Sequence, residues 1–274
     1  MRALNASAVL SRRAALGVVI AATTAARRAA ADVPTLKADE LVELRVELPA
    51  DRQGLAGKVR VARVTVATPA AFDPGQPWRV LVVNATSDPG YQSSRALMTA
   101  YRAAATAAGW VVLAADPDSE VAQAEDSLTL RYALASTALD AVHARWRDAG
   151  QATLAFAGFS GGAKYSGWLA ALFTTQGARV GGLFLAGVNE EPVATAAQKL
   201  KVLDDGYRSI PVFLQAGRRD TVAPPDKHRE ILDELRKRGF RALRLEVVEG
   251  GHRVDATQLQ AALEWFAASD DARR

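Results

Sequence analysis

The pentapeptide Gly158-Phe159-Ser160-Gly161-Gly162 is the stretch of this chain best suited to chemistry. It follows a short apolar run, Leu154–Ala157, and precedes an alanine-rich segment with helical spacing, so the serine falls on a strand-to-helix turn. A turn that sharp leaves no room for side chains at positions 158 and 162, and both are glycine. The serine hydroxyl is lifted above the strand end, where the N–H groups opening the following helix face any oxyanion that forms nearby. Gly161 is the first such donor.

A serine hydroxyl becomes an effective nucleophile when a neighbouring base takes its proton. Three histidines are available. His143 and His228 fall inside helical patterns, each flanked by charged or bulky neighbours, and read as helix-surface residues. His252 follows Gly250-Gly251 directly after the last apolar run, in the kind of loop where α/β active sites gather. It is the expected base. Asp220 ends the segment Gln215-Ala216-Gly217-Arg218-Arg219-Asp220, again just past a strand, and is the expected carboxylate that orients the imidazole. Glu190 and Glu191 are the alternative acids, and a capping or turn role is the alternative for Asp220.

Other uses of the same glycines fail on composition. From Gly158 a P-loop would need glycine at position 163 and serine or threonine at 165, where Ala163 and Tyr165 stand. A dinucleotide fingerprint would need glycine in place of Ser160. Lys164 is then an exposed helical residue, a substrate-facing role being its alternative. Phe159 and Tyr91 are the aromatics expected to border a substrate, together with Tyr165 and the segment 189–192, core packing being their alternative role.

The elements that must position these residues are visible as a change of texture. Leu41–Leu48 and Val59–Val66 alternate apolar and polar residues about a turn at 51–57 and read as an antiparallel hairpin with one solvated face. Val80–Val83, Trp110–Ala115, Leu154–Ala157, Leu183–Ala186 and Val212–Leu214 are continuous apolar runs, as strands buried on both faces of a parallel sheet require. Helical spacing fills the intervals 93–108, 127–148, 162–175, 193–203 and 226–238, and a last strand at 243–248 precedes a last helix at 256–267. The expected fold class is α/β, with about eight strands, mostly parallel, the hairpin at the start and helices on both faces.

The order Ser160, Asp220, His252 is that of α/β-hydrolases. From Leu41 to Phe266 the chain resembles that superfamily. The segments 157–162, 215–220 and 250–252 are similar to those of its dienelactone-hydrolase-like and polyhydroxyalkanoate-depolymerase-like esterase branches. The resemblance implies an acyl-enzyme mechanism on a small or polymeric ester, with no cofactor and no metal, and places a second oxyanion donor at the backbone of Ala85 or Thr86. Many relatives carry His-Gly or His-Gly-Gly-Gly in that loop, whereas this chain has Asn84-Ala85-Thr86-Ser87. Peptide or thioester hydrolysis by the same residues is an alternative, and so is a non-catalytic binding protein on the same fold.

Composition removes several other classes. There is no cysteine, hence no disulfide scaffold, thiolate metal site or cysteine nucleophile, and no H-E-x-x-H pattern. The net charge is +4, but five of the 34 basic residues lie in the first 31 positions, which hold no acid, so 29 basic face 30 acidic residues beyond them. That balance gives no footprint for nucleic acid. The basic run at Arg236, Lys237, Arg238, Arg241 and Arg244 reads as a solvated helix end. Arg2, Arg12 and Arg13 ahead of the uncharged stretch 14–26, with Arg27-Arg28 and small residues at 29–31, read as a signal peptide resembling the twin-arginine type. A single domain is then expected over 32–274, exported to the periplasm or beyond, without a membrane anchor once the signal is cleaved. No pattern sets an oligomeric state.

Overall fold

Apolar runs too short for helices, separated by helical segments, fold as a wound α/β sheet. The computed structural model describes residues 34–273 apart from 124, 147 and 148; the leader expected at 1–31 lies outside them. Eight strands, β1 (Leu41–Glu47), β2 (Val61–Ala67), β3 (Arg79–Asn84), β4 (Trp110–Pro117), β5 (Leu154–Phe159), β6 (Val180–Ala186), β7 (Val212–Gly217) and β8 (Leu243–Val248), form one sheet. Their spatial order is β1-β2-β4-β3-β5-β6-β7-β8. β1 and β2 pair antiparallel, as do β2 and β4, and the remaining neighbours are parallel.

The helices are α1 (Ala50–Gln53), α2 (Ser94–Ala107), α3 (Leu128–His143), α4 (Gly161–Thr175), α5 (Val193–Lys199), α6 (Asp205–Arg208), α7 (Pro225–Lys237) and α8 (Ala256–Asp271). Helices cover the inner strands, and β3, β5, β6 and β7 are buried almost throughout, which is why they carry no alternation. One layer of the core stacks Tyr101, Trp110, Phe184, Phe213 and Phe266 between the sheet and helices α2 and α8. Residues Leu36–Arg274 form one compact unit.

Three local differences from the sequence reading have physical causes. The solvated face expected of the hairpin belongs to β1 alone, because β2 lies between β1 and β4 with α2 and α3 packed on it. The helix expected to run to 148 ends at His143. Beyond it the buried Trp146 packs edge-on against Phe72, 5.4 Å between centroids, and donates its indole N–H to Gln76. The helix expected to run to 203 stops at Lys199, and Lys201 turns into the left-handed region with φ 59°.

Outer strands β1 and β8 leave charged side chains exposed: Glu43, Arg45 and Glu47 on one, Arg244 and Glu246 on the other. Parallel winding brings the carboxyl ends of β3, β5, β7 and β8 to a single rim, and Ala85, Thr86, Ser160, Gly161, Asp220 and His252 lie within four positions of one of those ends.

Candidate active site

Ser160 is the turn residue between β5 and α4. Its backbone has φ 54° and ψ −123°, a conformation that costs a non-glycine residue about 1–3 kcal/mol. The Ser160 N–H continues the parallel ladder to Ala186 O at 2.9 Å. Packing around the turn is tight enough to dictate the glycines: a Cβ on Gly158 would fall 2.2 Å from the backbone of Gly162, and one on Gly162 would fall 2.0 Å from Asn84 O. Asn84 also donates to Ser166 Oγ, whose hydroxyl donates to Gly162 O, so the end of β3 is tied to the first turns of α4.

His252 and Asp220 meet across the ends of β8 and β7. His252 Nδ1 lies 2.7 Å from Asp220 Oδ2, while Asp220 Oδ1 accepts the N–H groups of Val222 and Ala223, both at 2.8 Å. Burial pushes the Asp220 pKa up, but the Ala223 N–H, the His252 ring and the Val222 N–H outweigh it and hold the carboxyl below its ordinary value. The buried Gln215 secures the loop that follows His252. Its amide donates to Arg253 O at 2.9 Å and accepts from Asp255 N–H at 2.7 Å.

The Ser160 turn and the His252 ring adjoin through Phe159 and Gly187. The Phe159 and His252 rings lie 4.4 Å apart, and a Cβ on Gly187 would sit 2.9 Å from both. Among the described residues the Ser160 hydroxyl makes no hydrogen bond to His252. Both residues are half-buried, so solvent reaches the space above them.

Gly161 opens α4, where N–H groups have no partner within the helix. It abuts Thr86: a Cβ on Gly161 would fall 2.4 Å from Thr86 Oγ1. The expectation that either Ala85 or Thr86 could supply the second donor is corrected in part, because Ala85 N–H is already given to Ser94 Oγ at 3.2 Å. Among the described residues Thr86 N–H meets no acceptor.

Other residues singled out in the sequence separate clearly. Tyr91 is 76% exposed on the loop after β3, so core packing is not its role. Lys164, expected to be exposed, is instead partly buried, because it is drawn into an ion pair with Glu190 at 3.1 Å. Glu191 is spent on capping α5, accepting the N–H groups of Val193, Ala194 and Thr195, and burial pushes its pKa up despite them.

The assignment of His228 to a helix surface is wrong. Its side chain is fully buried, with Nδ1 3.2 Å from Pro224 O and, among the described residues, no partner at hydrogen-bond geometry for Nε2, and it lies close enough to Asp220 to feel its charge. A signal for this exists in the sequence: Ile231, Leu232 and Leu235 follow His228 at three, four and seven residues, one face of α7. Burial depresses its pKa, an effect that bonds to backbone and the Asp220 charge only partly offset. The unfolded chain therefore binds this proton more readily than the folded one. Its contribution leaves stability intact at neutral pH and erodes it as pH falls below the unfolded value of 6.5. Urea denaturation between about pH 7 and pH 5 is expected to show a shallower stability loss for His228→Gln than for the wild type, the difference reaching up to about 1.4 kcal/mol per pH unit. Equal slopes would show that His228 does not contribute to the pH dependence.

No protein-family model matches the sequence, and no curated protein is recognisably similar to it. Solved structures are similar in fold. An α/β serine hydrolase without a lid from Xanthomonas campestris is 17% identical with a TM-score of 0.57, the match covering 86% of this chain and 96% of that one. An esterase from Pyrococcus furiosus is 17% identical with a TM-score of 0.54, over 89% and 99% of the two chains. A dienelactone hydrolase from Anabaena variabilis is 16% identical with a TM-score of 0.50, over 85% and 95%. The structural neighbours are thus serine hydrolases and esterases, and the chain has the α/β-hydrolase fold.

Proposed function

We propose that this α/β-hydrolase fold carries a serine esterase. The observation that carries the reading is the 2.7 Å contact of His252 Nδ1 with the buried Asp220, beside a serine held at φ 54°. Asp220 fixes the tautomer in which Nδ1 bears the proton, leaving Nε2 to accept one from Ser160. Ser160 Oγ attacks the ester carbonyl, the N–H groups of Gly161 and Thr86 receive the oxyanion, and imidazolium returns its proton to the departing alcohol. Water, activated by the same imidazole, then releases the acid and restores the serine. Each oxyanion donor contributes roughly 10²–10³ in rate.

No large lid is required by this reading: residues 188–211 hold only α5, α6 and their connections, and Tyr91 and Val222 stand exposed on the loops after β3 and β7. The proposed substrate is a small or polymeric carboxylic ester approached from open solvent. With the leader read at 1–31, the activity belongs outside the cytoplasm.

A fluorophosphonate probe is expected to label the wild type once, at the peptide containing Ser160, and p-nitrophenyl esters across a range of acyl lengths are expected to be turned over. A protein that neither labels nor hydrolyses any of them loses the esterase reading and leaves a non-catalytic binding protein on this fold as the next reading to test.

A further inference from the structure

The loop after β3 begins Asn84-Ala85-Thr86-Ser87, with no glycine to ease its turn, yet it meets Gly161 closely. What holds it comes from α3. We propose that Arg131 is a positioning residue for the oxyanion site, pinning this loop so that Thr86 N–H stays free beside Gly161. The proposal rests on the esterase reading.

Arg131 is buried and forms a two-point ion pair with Asp126, Nε to Oδ1 at 2.7 Å and Nη2 to Oδ2 at 2.6 Å. Further donors reach the β3–α2 connection and the first residue of α2, the second Nη2 N–H being shared between two carbonyls. Nη1 donates to Ser94 Oγ at 3.1 Å, and Nη2 donates to Thr86 O at 3.2 Å and Gln92 O at 3.3 Å. Ser94 Oγ is the same atom that accepts Ala85 N–H. The N–H of the 84–85 peptide and the C=O of the 86–87 peptide are therefore both held, one through Ser94 and the other by Arg131 itself. Between them sits the 85–86 peptide, which bears the Thr86 N–H.

The same guanidinium reaches the nucleophile's helix. Its Cζ lies 5.3 Å from the ring centroid of Tyr165, one turn into α4, and the Tyr165 hydroxyl donates to Asp126 O at 3.2 Å. One buried group thus spans both donors of the proposed oxyanion site. Asp126 neutralises its charge, so the contribution is geometric. A lysine keeps the charge but cannot reproduce a planar fork with donors in several fixed directions.

The test compares p-nitrophenyl ester kinetics of the wild type, Arg131→Lys and Ser94→Ala, with thermal melts to establish folding at the assay temperature. Displacing one of two oxyanion donors is expected to lower kcat by about 10–100-fold with KM within about twofold of the wild type. Fluorophosphonate labelling slows by the same factor, since it builds charge on the same oxygen, and the midpoint of the kcat pH profile stays in place because the Asp220–His252 pair is untouched. A folded Arg131→Lys with kcat within about twofold of the wild type overturns the proposal, as does a change confined to KM. Should Arg131→Lys fail to fold, Ser94→Ala decides alone, and wild-type kcat in that variant overturns it. A wild type without turnover or labelling sinks the esterase reading and this proposal together; an active wild type with unaffected variants sinks this proposal only.

Discussion

Asp220→Asn is expected to fold normally and to lose about 10⁴-fold in ester turnover at neutral pH, because the surroundings dictate how the amide must point. Position Oδ1 faces two N–H donors, from Val222 and Ala223, so the amide oxygen has to occupy it. The amide NH₂ then faces His252 Nδ1 and forces that nitrogen to accept. Nε2 becomes the protonated nitrogen and can no longer take a proton from Ser160. Steady-state kinetics and a melting curve check this: a folded variant that keeps more than a tenth of wild-type kcat contradicts the assigned roles of both residues.

Ser160→Gly couples a loss with a gain. Activity is expected to fall by on the order of 10⁴–10⁶, since the attacking oxygen is gone and the remaining site acts only through the oxyanion donors and binding. The same change removes the Cβ from a residue at φ 54°, where glycine is comfortable. A stability increase of about 1 kcal/mol is expected, or roughly 2–4 °C in Tm for a chain of this size. Ser160→Ala keeps the Cβ and should be equally inactive without that gain. Both variants melting below the wild type would show that the serine is not strained.

Much of the sheet and of the candidate site is legible in the amino-acid order, and for specific reasons. Strands covered on both faces have no polar residues to interleave, so 80–83 and 212–214 announce themselves as apolar runs. The elbow is legible because its steric demands admit only glycine at 158 and 162. Asp220 and His252 stand just past strand ends, where local order alone suggests a shared rim.

Contacts made between elements are harder to read. Arg131 looks like any helix residue until α3 packs, and its partners at Thr86 and Gln92 lie some forty residues away. Gln215 reads as part of a strand, and its clamp on residues 253–255 depends on the β7–β8 pairing. Ala85 is excluded as a donor by one hydroxyl nine residues on, which backbone patterns do not encode. His228 is different: its helical phase marks it as inward-facing, and the polarity of its immediate neighbours points the wrong way.

An open sheet has two borders where backbone N–H and C=O groups face water, and such borders invite a strand from another molecule to add on. Here the alternate side chains along both borders are charged: Glu43, Arg45 and Glu47 at one, Arg244 and Glu246 at the other. A strand arriving there must desolvate those groups, which disfavours runaway stacking into aggregates. Neutralising either border would then be felt first as poor solubility at high concentration, with the Asp220–His252 contact unchanged.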